Sequence, residues 1–142
     1  MALNVLVVDD SSFMRAIVIK TLRLSGLPLH TILEAGNGAE ALKILDENWI
    51  DLALVDINMP VMDGEELINH LRENPETARL PVVVVSTESS ETRIAKFRRQ
   101  GAGFVHKPFQ PETLRDIIVE LTGVSNEQAF GEDALQGRGS DF

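Results

Sequence analysis

The sequence of 142 residues contains no cysteine. This absence excludes disulfide bonds, thiolate catalysis and zinc sites built on cysteine, and it suits a reducing cytosol. No segment approaches the roughly 18 uninterrupted apolar residues that a membrane span needs. The chain also does not open with the basic and then apolar segments of a secretory signal. We therefore expect a cytoplasmic protein that is not inserted into a membrane.

Positive charge is scarce. The chain has 13 basic against 22 acidic residues and a net charge of −9, and its basic residues are scattered apart from the pair Arg98 and Arg99. The phosphate backbone of a nucleic acid would be repelled by such a chain, so we expect no direct nucleic-acid binding. The hydrophobic fraction of 44% is ordinary for a globular protein of one domain.

Short apolar runs alternate along the chain with residues spaced for one face of a helix. In the last helical pattern, for example, Leu114, Ile117, Ile118 and Leu121 lie at positions i, i+3, i+4 and i+7. The predicted strands cover Val5–Val8, Thr31–Glu34, Leu52–Val55, Val82–Val85 and Phe104–Val105. The sequence therefore predicts five strand-helix units.

The predicted strands indicate a parallel sheet. Val82–Val85 is apolar at every position, so both faces of that strand must be covered, as in a sheet with helices on each side. We predict an α/β fold with a doubly wound, five-stranded parallel sheet in the flavodoxin-like order 2-1-3-4-5 and five helices, (βα)5. In such sheets the functional cleft lies at the carboxyl ends of the strands.

The alternating pattern stops after Leu121, and the last stretch is rich in glycine, serine and acidic residues. We predict one domain over residues 1–123 and a flexible acidic tail over residues 124–142. A tail without a specific role is the simpler interpretation, and a recruitment peptide around Phe130 or Phe142 is the alternative.

Two adjacent acids, Asp9 and Asp10, follow the first strand, and Asp56 follows the third. Asp9 and Asp10 alone could simply start the next helix, where aspartate and serine are favoured. That explanation does not extend to Asp56, because no helix begins for several residues after it. Strands one and three are neighbours in the predicted order, so the three carboxylates would meet at one edge. A hard divalent cation such as Mg²⁺ would offset their mutual repulsion.

Two further polar residues follow the fourth and fifth strands. Lys107 precedes Pro108, which holds residue 107 in an extended conformation, and its ammonium group would balance nearby carboxylates and bind a phosphoryl group. Ser86 would donate its hydroxyl to the same oxygens. The simpler alternatives are a solvated loop charge for Lys107 and an N-cap of the fourth helix for Ser86.

These residues resemble the receiver domain of two-component response regulators over roughly residues 3–122, through DD at 9–10, VDINMPVMDG from 55, S at 86 and KP at 107–108. The resemblance implies that Asp56 is the phosphoacceptor. It also implies that Asp10 is a direct Mg²⁺ ligand, that Asp9 is a water-mediated ligand, and that the backbone carbonyl of Asn58 completes the set. Ser86 and Lys107 would bind the phosphoryl oxygens.

The resemblance also implies a switch and a tuned lifetime of the phosphorylated state. Ser86 would move toward the phosphoryl group, and Phe104 would rotate into the space left behind, although plain core packing also explains Phe104. Asn58 and Glu88, at the mouth of the site, would tune dephosphorylation. Asp63 is expected to cap the third helix, and Gly64 is expected to supply a positive φ in the turn after Pro60.

The match is closest to the single-domain, chemotaxis-type (CheY-like) branch. It implies a sensor histidine kinase as phosphodonor and a downstream protein that reads the face of the fourth helix, fifth strand and fifth helix, with the flagellar motor switch as the candidate. A receiver of this kind is not an enzyme beyond its own phosphorylation and dephosphorylation. The alternatives are a phosphorelay intermediate or phosphate sink, a Mg²⁺-dependent phosphohydrolase, and a degenerate receiver that acts as a scaffold.

Overall fold

The computed structural model describes residues 2–124, in which strands and helices alternate along the chain. The strands are β1 (Leu3–Val8), β2 (Leu29–Ala35), β3 (Leu52–Val55), β4 (Val82–Ser86) and β5 (Gly103–His106). The helices are α1 (Ser12–Leu24), α2 (Gly38–Glu47), α3 (Gly64–Glu73), α4 (Glu91–Arg99) and α5 (Pro111–Thr122). Each predicted strand is present, and the bounds of β3 agree with the prediction.

The five strands form one parallel sheet in the order β2-β1-β3-β4-β5, which confirms the predicted fold class. Every residue of β3 and β4 is buried, as expected for strands covered on both faces. Val8 of β1 pairs with Val55 of β3, and Val55 pairs with Val84 of β4. This register aligns the carboxyl ends of the three central strands, so the polar residues that follow them lie at the same edge.

A separate apolar cluster covers each face of the sheet, because successive strand residues point to opposite sides. Phe97 of α4 is fully buried in one cluster, together with Leu67, Ile68 and Leu71 of α3. The other cluster contains Leu22 of α1 and Leu114 and Ile118 of α5. Each fully buried large side chain contributes roughly 1.5–3 kcal/mol, so the two layers hold the sheet edge in a fixed geometry.

Side-chain caps fix the start of four helices. Ser11, Asn37, Asp63 and Ser90 each accept a hydrogen bond from a backbone N–H in the first turn of α1, α2, α3 and α4. The predicted cap at Asp63 is confirmed, with a reciprocal bond from the N-cap amide to the Glu66 side chain. The alternative that Ser86 caps the fourth helix is wrong, because Ser90 does so and Ser86 ends β4.

The loop between β3 and α3 differs from the prediction at one position. Gly64 does not have a positive φ, whereas the exposed Val61 has a φ of 67°. Gly64 is required for a different reason: a Cβ atom there would lie 2.3 Å from the carbonyl oxygen of Asp56. The first turn of α3 therefore packs directly against the backbone of the residue at the end of β3.

The described part of the chain ends at Val124, which is buried against the cluster beneath α1 and α5, one residue beyond the predicted domain boundary. Residues 125–142, with Phe130 and Phe142, lie outside the described residues. Among the helices that the structure describes, none has the length and apolarity to cross a membrane.

Two of the exposed large side chains in the described part of the chain are aromatic, and they lie at opposite ends of the sheet. Phe13, in the first turn of α1, is 72% exposed beside the loop that contains Asp9 and Asp10. Trp49, the only tryptophan of the chain, is 79% exposed in the connection between α2 and β3. Its Nε1 donates to Asp51 Oδ1 at 2.9 Å, so the indole is held in place at the end of the sheet where the strands begin.

Candidate functional site

The side chains of Asp9, Asp10 and Asp56 converge at the carboxyl end of the sheet. One carboxylate oxygen from each lies within 4.8 Å of the others, as the predicted strand order requires. Backbone hydrogen bonds that continue the sheet fix two of the three residues: the Asp9 amide donates to the Ala35 carbonyl at 3.1 Å, and the Asp56 amide donates to the Val8 carbonyl at 2.9 Å. The convergence is therefore a property of the sheet register.

Lys107 lies next to two carboxylates of this cluster. Its Nζ is 3.6 Å from Asp56 Oδ1 and 3.7 Å from Asp9 Oδ2, and its side chain is mostly buried. The Lys107 amide donates to the Ser86 carbonyl at 2.8 Å, and the Lys107–Pro108 peptide bond is cis. Lys107 is therefore part of the site, and the alternative of a solvated loop charge is wrong.

The electrostatics of the site leave an excess of negative charge. Burial raises the pKa of the Asp56 carboxyl and is the largest influence on it; Lys107 lowers the pKa, and the nearby Asp9 carboxylate raises it. One ammonium group does not compensate three carboxylates. Carboxylate oxygens are hard ligands, and a site with two or three of them and room for water suits Mg²⁺.

Asp9 and Asp10 differ in their surroundings. Asp9 is buried, and its Oδ1 accepts from the Ser11 amide at 2.9 Å while Oδ2 faces Lys107. Asp9 thus also shapes the start of α1, as the simpler interpretation of the acid pair proposed. Asp10 is exposed at the mouth of the site. Both acids remain close to Asp56, which a role in helix capping alone does not explain.

The sequence did not reveal that Arg15 supports the site. Its Nη1 donates to the Asp9 carbonyl oxygen at 2.5 Å, and its Nε pairs with Glu34 Oε1 of β2 at 2.8 Å. Arg15 therefore fixes the backbone that presents Asp9. Its partners are 6 and 19 residues away along the chain, so its own neighbours in the sequence gave no signal of this role.

The four remaining candidate residues lie on or just after the strands next to the site: Asn58 follows β3, Ser86 ends β4, Glu88 follows β4, and Phe104 is part of β5. Ser86 is buried at the end of β4, and its Oγ accepts from the Glu88 amide at 3.0 Å. Asn58 is exposed two residues after Asp56. Phe104 of β5 is half-buried against the cluster that contains Val84, in agreement with the core packing considered for it.

Comparisons with known proteins point to one family. Residues 5–119 match the model of the response regulator receiver domain. The chain is 32% identical over 132 residues to a chemotaxis protein CheY homolog of Campylobacter jejuni, a match that covers 92% of this chain and all of the relative.

The same fold occurs in solved structures. The Vibrio cholerae chemotaxis protein CheY4 superposes with a TM-score of 0.74 at 33% identity, over 85% of this chain and 99% of that one. The receiver domain of the sensor histidine kinase PA1611 from Pseudomonas aeruginosa superposes with a TM-score of 0.74 at 20% identity, over 87% of this chain and 99% of that one. That structure has a magnesium ion coordinated in its active-site cleft.

Proposed function

The chain belongs to the response regulator receiver domain family, and from that premise we propose that it accepts a phosphoryl group on Asp56 from a histidine kinase in a Mg²⁺-dependent reaction. The observation that carries the proposal is the convergence of three carboxylates and Lys107 at one sheet edge. An Asp56 oxygen forms the new O–P bond, the P–N bond of the donor phosphohistidine breaks, and the imidazole keeps its electron pair.

The Mg²⁺ ion would be held by Asp9, Asp10, Asp56 and the backbone carbonyl of Asn58. Asp10 would bind it directly and Asp9 through a water molecule. When bound, the ion supplies positive charge for the transferring phosphoryl group. Lys107 supplies a further positive charge within 4 Å of Asp56. Its ammonium group attracts an incoming phosphoryl group that the carboxylates alone would repel.

We assign the switch to Ser86 and Phe104. On phosphorylation the Ser86 hydroxyl turns from the Glu88 amide toward the phosphoryl oxygens, and Phe104 repacks behind it. Asn58 and Glu88, which flank the opening, tune the lifetime of the acyl phosphate by orienting or admitting water. The family is not a classical enzyme family, and the reaction is restricted to the phosphoryl group on the protein itself.

The output of the switch is binding to a downstream protein at the face of α4, β5 and α5. The curated relative is a chemotaxis protein, which supports a role in chemotaxis with the flagellar motor switch as the partner. A phosphorelay intermediate or phosphate sink uses the same site chemistry and is the alternative. A pull-down with and without beryllofluoride, a mimic of the acyl phosphate, separates them, because only a binding switch gains a partner.

Incubation with acetyl phosphate and Mg²⁺, followed by mass spectrometry of the intact protein, tests the phosphoacceptor. We expect one labile phosphoryl group on the wild type and none on Asp56→Asn or in EDTA. Asp46→Asn, an exposed substitution of the same type on α2, should label like the wild type. Sustained release of phosphate from a free phosphoester would instead support a phosphohydrolase. The haloacid-dehalogenase type of phosphohydrolase needs a second aspartate two residues after its nucleophile, and this chain has Asn58 at that position.

A further inference from the structure

A cluster of ion pairs joins α3, α4 and the loop after β4 at the mouth of the site. Arg93 of α4 donates through Nη1 to Glu88 Oε1 at 3.1 Å and through Nη2 to Glu65 Oε1 at 3.3 Å. Lys96, one turn further along α4, pairs with the other carboxylate oxygen of Glu65. All four side chains are less than half exposed, so solvent screens these pairs less than it screens fully exposed ones.

The Glu88 end of this cluster is tied to the switch serine. The Glu88 carboxylate also accepts from the Ser90 amide at 3.0 Å, and the Glu88 amide donates to Ser86 Oγ at 3.0 Å. Glu88 thus contacts both residues: its side chain pairs with Arg93, and its backbone amide donates to the Ser86 hydroxyl. When that hydroxyl turns away, the Glu88 amide loses its acceptor, so the position of the hydroxyl is coupled to the conformation of the loop between Ser86 and Ser90.

The Glu65 end is tied to the phosphoacceptor loop. Glu65 follows Gly64, whose amide donates to the Ile57 carbonyl at 2.8 Å and whose Cα has no room for a side chain beside Asp56. The reciprocal cap at Asp63 further fixes this first turn of α3. Arg93 therefore connects a mobile element of the proposed switch to a rigid one.

We propose that Arg93 is a positioning residue that opposes the switch, because it fastens the Glu88 loop to α3 and thereby keeps the Ser86 hydroxyl directed toward the loop. The inference rests on the proposed function and adds to it a residue that sets how readily the phosphorylated conformation forms. A protein with the Arg93 contacts broken reaches that conformation at lower cost. A ligand that binds only the switched conformation then has a lower apparent dissociation constant. The dissociation constant falls by the same factor by which the Arg93 contacts favour the unswitched conformation.

Titration with beryllofluoride in excess Mg²⁺, followed by the amide NMR signals of Ser86 and Glu88, tests this role. For Arg93→Ala we expect the half-saturating concentration to fall roughly two- to fivefold, the range that partly exposed ion pairs support. Glu65→Gln should shift it in the same direction, because it breaks the bridge from α3 without touching the loop. Arg93→Lys, which cannot reach both carboxylates in the same forked geometry, should lie between the wild type and Arg93→Ala.

Arg98→Ala removes the same charge from an exposed position of the same helix and should leave the titration unchanged. In the double variant of Arg93→Ala and Glu65→Gln, the effects should be less than additive, since both remove one bridge. Equal half-saturation for the wild type, Arg93→Ala and Glu65→Gln would overturn the proposal. If Arg93→Ala fails to fold, Glu65→Gln and Arg93→Lys decide the matter. Failure of the wild type to bind beryllofluoride, in contrast, would contradict the proposed function itself.

Discussion

The substitution Asp10→Asn should change protein stability in opposite directions with and without Mg²⁺. In the metal-free protein, Asp10 adds a third carboxylate to a cluster that contains Asp9 and Asp56, and Lys107 pairs with those two and not with Asp10. The neutral amide therefore removes repulsion without breaking an ion pair. With Mg²⁺, the same change removes a proposed ligand and weakens binding.

The size of the metal-free effect follows from the geometry. At the outer separation of 4.8 Å, two unit charges repel by about 1 kcal/mol at the dielectric constant of water. Asp10 is exposed, so this dielectric constant is the appropriate one, and its two pairs amount to roughly 2 kcal/mol. Screening at physiological salt, where the Debye length is about 8 Å, reduces the total to roughly 1 kcal/mol. A chain of this length gains about 4 °C in its midpoint of thermal unfolding from that change.

The effect of Mg²⁺ follows from linkage. A metal at 100 times its dissociation constant stabilises the folded state by about 2.7 kcal/mol, which raises the unfolding midpoint of the wild type by roughly 10 °C. Asp10→Asn should gain only a small part of this at the same concentration. The wild type is then the less stable protein in EDTA and the more stable one in Mg²⁺.

Thermal unfolding followed by far-ultraviolet circular dichroism, with EDTA or a Mg²⁺ series, measures both effects. Asp46→Asn makes the same charge change at an exposed position outside the cluster, so it corrects for the reduced net charge. The reasoning is refuted if Asp10→Asn is destabilised in EDTA relative to Asp46→Asn, or if Mg²⁺ stabilises it as strongly as the wild type.

Three further outcomes are expected. Gly64→Ala should lower the free energy of unfolding in urea by roughly 3 kcal/mol, because the new Cβ would lie 2.3 Å from the Asp56 carbonyl oxygen. Gly36→Ala is the control, because its Cβ would meet only the flexible Glu40 carboxylate. Equal effects of the two substitutions would contradict the steric argument. In EDTA, burial and Asp9 hold the pKa of Asp56 above its ordinary value of 3.8. The folded state therefore binds the proton more tightly than the unfolded state, and the wild type loses stability relative to Asp56→Asn as pH rises from 3.8 through the raised pKa. A stability difference between the two proteins that does not change with pH would refute this prediction. Arg72→Met should lower the free energy of unfolding by roughly 3 kcal/mol, because Arg72 donates to the carbonyls of Gln100, Ala78 and Leu80 at 2.7–3.2 Å. Arg79→Met, at an exposed position, is the control and should change the free energy of unfolding by less than about 0.5 kcal/mol.

The sheet and the carboxylate cluster could be predicted from the sequence because both depend on short patterns. Leu52–Val55 is apolar at every position and is followed directly by an acid, so the strand, its burial and the location of Asp56 follow from five consecutive residues. The strand order then brings Asp9 and Asp10 to the same edge. The roles of Asn58 and Glu88 in dephosphorylation remain predictions.

The features that the sequence did not predict depend on contacts between distant segments. Gly64 looked like a turn glycine, but its constraint is the approach of the Asp56 backbone, which only the packing of α3 determines. The positive φ lies instead at Val61, a β-branched residue for which that conformation is unfavourable. Arg93 pairs with Glu65, which lies 28 positions earlier in the sequence, and the spacing of Arg93 along α4 marks it only as a partly exposed charge.

The location of the single tryptophan affects how the protein can be followed by spectroscopy. Trp49 lies at the amino-terminal edge of the strands and is already largely in water, so its emission should respond weakly to events at the opposite edge. Phe13 lies beside the acidic loop and is exposed, so Phe13→Trp in a Trp49→Phe background would place the only indole of the chain next to the metal and phosphoryl chemistry.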